Sequence, residues 1–349
     1  MRRFGILTIF LLSGVTQPVL AQDRAVVRPL FYDDSSLALT IEGPFERLTR
    51  ERYDKPELDG VVRYTDADGK KIVLDVGLSP RGNSRLEICS FPPLWLNFRR
   101  RQLPDTVFAG QNRIKLVTLC RRGNSYRDYL AQEYQVYRAY NVLTEHSFRV
   151  RWVTIEYVET EGRRPSSTSE AAFLIEEDWE VAERAGMAAV KVSSLRVAQL
   201  DSAGAALLFL FQYMIGNTDW SAIAATAGDN CCHNAKPIGP QDHDAGRIIL
   251  PYDFDQVGLI NAGYARPSPS VPIRSVTQRL YRGYCALNDE LEAARQLLNE
   301  RRSDIEAGYA ALEVSDRSRD RAVSYLSDSY ERINEPRRFE RDILGRCRG

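Results

Sequence analysis

The chain has 349 residues, a formal net charge of zero from 47 Lys and Arg against 47 Asp and Glu, and a hydrophobic share of 44%. This balance gives no general electrostatic reason to bind nucleic acid, and the length is ample for burying a sizeable core. Beyond the N-terminal segment no stretch is apolar for long enough to span a bilayer; the best, Ala203 to Ile215, suits a buried helix.

A basic start at Arg2-Arg3, a short apolar run from Ile6 to Leu12 and the small-residue exit Val19-Leu20-Ala21 form the pattern of a secretory signal peptide over residues 1–21. The chain is therefore expected to be exported, periplasmic or extracellular. Six Cys follow this segment, and an even count in an exported chain suggests disulfides. Cys89–Cys120 is the preferred pair because both flank neighbouring strand-like segments. Cys231, Cys232, Cys285 and Cys347 cannot be paired from sequence. Cys231 and Cys232 are adjacent rather than spaced as a zinc-binding pair.

Residues 22 to 34 read as a lead-in. Strands are predicted at Leu37 to Ile41, Gly60 to Tyr64 and Ile72 to Val76, the last two forming a hairpin around Asp66-Ala67-Asp68-Gly69. A polar, Gly-containing loop from Leu78 to Arg85 precedes strands at Leu94 to Phe98 and Arg113 to Leu119. The spacing of Tyr126, Tyr129, Leu130, Tyr134, Tyr137 and Tyr140 predicts a helix from Tyr126 to Glu145. Glu133 falls on that apolar stripe, where a carboxylate needs a partner or a route to water. Lys115, on the strand before, is the natural partner.

Val150 to Val158 and Ala171 to Ile175 read as strands, and Trp179 to Ala185 as a short helix. An apolar helical segment then runs from Leu195 to Ile215. Later helices are expected at about Leu287 to Leu312, Ser318 to Ile333 and Pro336 to Leu344. This order predicts an α+β fold of two lobes, with a β-rich lobe over residues 22–177 and a helical lobe over 178–349.

The chemistry concentrates between Gly216 and Gly258. Asp219 lies just past a helix end, Asn234 in a loop, and Asp253 and Asp255 after the apolar strand Ile248-Ile249-Leu250. Phosphoryl transfer uses such a set: one carboxylate for the acceptor hydroxyl, with an Asn and an Asp to hold Mg²⁺ on ATP phosphates. Asp219 as a turn or helix cap, and Asp253 to Gly258 as a calcium-loop fragment, are the alternatives. His233 reads as structural, and the His residues share no spacing with a Ser or Cys that would suggest a hydrolytic triad.

The order Arg81-Gly82-Asn83-Ser84, strand Lys115, helix Glu133, Asn217…Asp219, Asn234 and Asp253-Phe254-Asp255 resembles the spore-coat protein H-like atypical secreted kinases over roughly residues 75 to 260. The resemblance implies a two-lobed protein-kinase-like fold and ATP with Mg²⁺ or Mn²⁺ as cofactors. Asp219 would then orient the acceptor hydroxyl, Asn234 and Asp253 would hold metal, and Asp255 would bind a second metal. Lys115 would touch the phosphates and pair with Glu133, while Arg81, Gly82, Asn83 and Ser84 would cover them. Glu176 would stand at the hinge that reads adenine. The implied activity is phosphorylation of Ser or Thr hydroxyls on exported or envelope proteins. Asp219 and Asn234 are 15 residues apart, wider than the usual kinase spacing of about five; Asn230 is a rival ligand. A kinase-shaped binding scaffold, a phosphoester hydrolase and a nucleotidyl transferase fit the same residues.

Overall fold

The structure, a computed structural model, describes residues 28–162, 166–225 and 228–349. The expected signal peptide lies outside the described residues.

Seven strands form the first half: β1 (Leu37–Gly43), β2 (Leu58–Thr65), β3 (Lys71–Pro80), β4 (Leu94–Phe98), β5 (Arg113–Thr118), β6 (Val150–Glu159) and β7 (Ser167–Ile175). They close into a barrel in the order β1-β2-β3-β4-β5-β7-β6. Every neighbouring pair is antiparallel except β1 and β6, which run parallel from Leu37↔Val153 to Gly43↔Glu159 and complete the ring. This overturns the expected two-lobed kinase-like architecture. The molecule is a barrel-containing α+β fold: closure leaves the barrel no free edge.

Alternation decides which side chains fill the barrel. Along β3, Ile72, Leu74, Val76 and Leu78 are buried while Lys71, Val73 and Asp75 are exposed. The interior is completed by Leu39, Ile41, Val62, Leu96, Ile114, Leu116, Val153, Ile155 and Leu174. Two short helices interrupt the strands, α1 (Phe45–Arg50) and α2 (Ser84–Ile88). The long helix α3 (Asn124–Leu143) packs its Val136, Tyr137 and Tyr140 into a second core. There, Tyr137 meets Phe173 of β7, their ring centroids 5.9 Å apart.

After α4 (Asp178–Arg184), a three-stranded sheet in the order β10-β9-β8 forms from β8 (Ala188–Ala189), β9 (Ala235–Gly239) and β10 (Ile248–Pro251). Helix α5 (Ser202–Ile215) is capped by Asp201, whose carboxylate accepts the Gly204 N–H at 2.8 Å. It is buried from Ala205 to Ile215, as its unbroken apolar run requires, and it ends at Gly216 with a φ of 66°. A Cβ at Gly216 would collide with the Tyr325 hydroxyl. Helices α6 (Leu291–Glu300), α7 (Arg302–Ala310), α8 (Asp316–Asn334) and α9 (Pro336–Asp342) complete the helical half. No described helix is long and apolar enough to cross a membrane.

Disulfides join Cys89 to Cys120, the pair expected from the sequence, Cys231 to Cys232, and Cys285 to Cys347.

Glu180 of α4 is buried where the helix meets the barrel, and burial pushes its pKa up to about 7. It accepts hydrogen bonds from the Glu177 N–H and from Gln111, both at 2.9 Å. The native state therefore holds a proton that the unfolded chain releases near pH 4.5, so this group's effect on stability becomes less favourable as pH rises from about 4.5 to 7. The shift corresponds to roughly 3 kcal/mol across that window. Glu180→Gln should flatten the pH dependence of urea denaturation between pH 5 and 7; an unchanged slope would contradict this assignment.

Candidate functional site

The site is built where the outer face of β4 and β5 meets the ends of β9 and β10. Antiparallel pairing of Ala235 with Pro251 puts Asn234, just before β9, next to Tyr252, just after β10, and the Tyr252 N–H donates to the Asn234 carbonyl at 3.1 Å. One end of a hairpin thus presents Asn234 and Asp253 together. Both have a left-handed backbone, φ 48° and 63°, a conformation that Asn and Asp tolerate better than most residues. The Asp253 N–H donates to the Tyr137 hydroxyl at 2.9 Å, which ties this loop to α3.

Asp219 is carried by the turn that follows α5. Asn217 shapes this turn, its side-chain oxygen accepting the Asp219 N–H at 3.0 Å. Leu259 N–H to Ile215 O at 3.0 Å and Gly258 N–H to Gly216 O at 3.1 Å join the end of α5 to the chain beyond Asp255. The 15-residue gap between Asp219 and Asn234 closes in space: the Asn234 amide donates to the Asp219 carbonyl at 2.7 Å and to its carboxylate at 3.1 Å. Asn230, the rival ligand, is exposed. The other carboxylate oxygen of Asp219 lies 2.8 Å from His233 Nε2. That hydrogen bond raises the His233 pKa against the opposing effect of burial. His233 thus touches Asp219 directly, a contact that its place in the sequence did not announce.

Beneath these loops lies a buried ion cluster that differs from the expected pairing. Glu133 is buried, but its partner is Arg85 of α2, at 2.6 Å, and not Lys115. Arg85 also bonds Asp255 at 3.2 Å and reaches to 3.8 Å from Asp253. Burial opposes the Arg85 charge, but Asp255 and Glu133 outweigh it and hold its pKa well above the usual guanidinium value. Burial pushes Glu133 up to about 7 and Asp255 up to about 6, with Arg85 pulling both the other way. Asp255 is thus committed to Arg85, and a second-metal role for it would require that bond to break.

Lys115 instead pairs with Glu177 at 2.8 Å. It shares the outer face of the barrel with Trp95, its registered neighbour on β4, and its Nζ lies 5.6 Å from the Trp95 ring and 5.9 Å from the Tyr252 ring. Arg81 stands 5.3 Å from Trp95, and Lys236 of β9 stands 5.5 Å from Tyr252. Arg81 and Lys236 are half-buried, burial lowers the pKa of each, and among the described residues neither has a carboxylate within ion-pair distance. Two half-buried cations without counter-ions are costly unless an anion joins them.

The remaining expected residues fall into two groups. Gly82, with φ 88°, and Asn83 are exposed between β3 and α2 beside Arg81, Ser84 is the exposed first residue of α2, and Asn83 accepts from Lys55 at 3.3 Å. Glu176 is a buried brace: its carboxylate bonds Arg184 at 2.9 Å and its N–H donates to the Arg149 carbonyl at 3.0 Å. Its N–H is therefore already spent, and the expected hinge role is not supported there. Sequence reasoning missed Arg85, Glu177 and Lys236. Lys236 carried a usable signal, a rare Lys in an Arg-rich chain set between Ala235 and Pro237.

Among the described residues no three His, Cys, Asp or Glu side chains converge as a ready-made metal cage. Asp253 has a partly exposed carboxylate, and the side-chain oxygen of Asn234 accepts no hydrogen bond among the described residues. These two oxygen donors fit Mg²⁺, which takes one or two protein ligands and completes its shell with phosphate and water.

Replacing Arg85 by Met leaves Glu133 and Asp255 buried together without a cation. The expected loss is about 3–5 kcal/mol in chemical denaturation at neutral pH; a loss below about 1 kcal/mol would show that the cluster is not structural. The chain matches no protein-family model and no curated protein, so the functional argument rests on this geometry.

Proposed function

We propose that the chain binds ATP with Mg²⁺ at this site and transfers the terminal phosphoryl group to a Ser or Thr hydroxyl of an exported or envelope protein. The observation that carries this reading is the pair of half-buried cations, Arg81 and Lys236, that have no carboxylate within ion-pair distance among the described residues, next to a loop that presents Asp253 and Asn234. A polyphosphate supplies the missing negative charge, and its metal finds oxygen donors alongside. The motif order resembling the spore-coat protein H-like kinases supports the same chemistry; the barrel fold contributes nothing to the argument.

In this account Arg81, Lys236 and Lys115 hold phosphate oxygens, and Asp253 with Asn234 holds the metal. Mg²⁺, when bound, neutralises charge on the phosphates. Asp219 accepts the proton of the acceptor hydroxyl as that oxygen bonds to the γ-phosphorus, and the bond from phosphorus to the leaving ADP oxygen breaks. His233 and Asn234 fix the orientation of the Asp219 carboxylate.

A second reading has one observation in its favour. The imidazole of His233 beside Asp219 suits activation of a water, which would make the same site a phosphoester hydrolase. Phosphate release in the absence of any acceptor distinguishes the two.

Thermal-shift titration with ATP should show Mg²⁺-dependent stabilisation. Lys236→Met should weaken binding at least about tenfold, the equivalent of one charge-assisted contact. Asp219→Asn should retain the shift and abolish phosphoryl transfer to envelope proteins. No shift with any nucleotide would contradict the proposal, as would full transfer by Asp219→Asn.

A further inference from the structure

A concave site is lined by residues that the candidate phosphoryl site does not use. Its volume is about 410 Å³, and α1, the segment before β4, the segment after β5 and the outer ends of β6 and β7 contribute to its walls. This size falls within the range of small-molecule sites. Three of its wall residues are aromatic and meet edge to face. Phe45 and Tyr157 have centroids 5.2 Å apart at 89°, Phe91 and Tyr157 5.1 Å apart at 69°, and Phe45 and Phe91 5.8 Å apart at 64°. Leu119 adds a further apolar wall.

The polar groups around this aromatic corner are unequal in sign. Glu46, Glu159 and Glu170 line the cavity against the single cation Arg122 among the described residues. Their hydrogen-bonding capacity is partly used. Glu159 accepts the N–H groups of Glu46 and Glu161 at 2.8 and 2.9 Å, and Glu170 pairs with Arg127 at 3.0 Å. Arg122 donates to the Thr168 hydroxyl at 3.3 Å. Glu170 is thus neutralised by an ion pair, Glu159 is held by backbone N–H groups, and the Glu46 carboxylate takes no hydrogen bond or ion pair among the described residues.

We propose that this cavity binds a small alkylated ammonium ion, of the choline type. Aromatic faces attract a cation through their quadrupoles, and the methyl groups of an alkylated ammonium pack on the apolar corner while its charge faces the carboxylates. The walls are also held in advance. The Cys89–Cys120 disulfide and the Ser90 N–H to Cys120 O bond at 2.9 Å tie the segment bearing Phe91 to the one bearing Leu119, so little ordering is left for the ligand to impose. The proposal is independent of the phosphoryl-transfer reading.

The test is calorimetric titration of the full chain, oxidised, with choline chloride and with its neutral isostere 3,3-dimethylbutan-1-ol. Saturable binding of choline, at least about tenfold tighter than the isostere, is expected. Phe91→Leu, at a half-exposed wall position, should weaken choline about tenfold while leaving the melting temperature within a few degrees. Glu46→Gln should weaken it less, in proportion to an exposed charge. Equal binding of choline and the isostere would overturn the proposal, as would no saturable binding of either or full binding by Phe91→Leu.

Discussion

The Arg85 guanidinium is the contact on which the rest of the site depends. It joins α2, which leaves the barrel after β3, to Glu133 of α3 and to Asp255 in the loop after β10. These pieces come from three distant parts of the chain, and each would leave an unpaired buried charge without the others. The same loop is held a second time, by the Asp253 N–H on Tyr137 of α3. Asp253 is thus fixed by groups below it while its own carboxylate remains partly exposed.

Above this floor the charges are arranged by sign. Acidic and amide groups, Asp219, Asn234 and Asp253, gather at the loop ends, and cations, Arg81, Lys115 and Lys236, gather around Trp95 and Tyr252. Lys115 alone of the three has a close carboxylate partner, Glu177. Among the described residues Arg81 and Lys236 are half-buried with no carboxylate within ion-pair distance, and the proposed polyanionic ligand would supply that charge beside the neighbouring oxygen donors. Asp219 is held at both oxygens, by His233 and Asn234, so its orientation is set before any acceptor arrives.

Much of this was legible in the sequence, for definite reasons. Weak alternation at Leu37 to Ile41, turn residues between strands and β-branched or aromatic runs such as Val150 to Val158 marked the barrel strands, because these report local backbone preference and burial. They say nothing about which strand is the neighbour, so the parallel pairing of β1 with β6, more than a hundred residues apart, could not be seen. The two-lobed expectation rests on the order of a β-rich part and a helical part, which does not show that the strands close on themselves. Glu133 on an apolar stripe announced that it needed a cation, but the pattern could not choose between Lys115 and Arg85. Asn234 was marked by its place after Asp219 despite the long gap, which the β9–β10 hairpin and the loop around Cys231 and Cys232 absorb. His233 escaped because its partner, Asp219, is 14 residues away in sequence and adjacent only in the fold.

The most direct test of the account is a structure of the chain with a non-hydrolysable ATP analogue and Mg²⁺. The account predicts phosphate oxygens within hydrogen-bond distance of Arg81 and Lys236, and the metal on Asp253 and Asn234, with the Arg85–Glu133–Asp255 cluster unchanged beneath. Phosphates bound elsewhere, or a nucleotide that leaves Arg81 and Lys236 untouched, would contradict it.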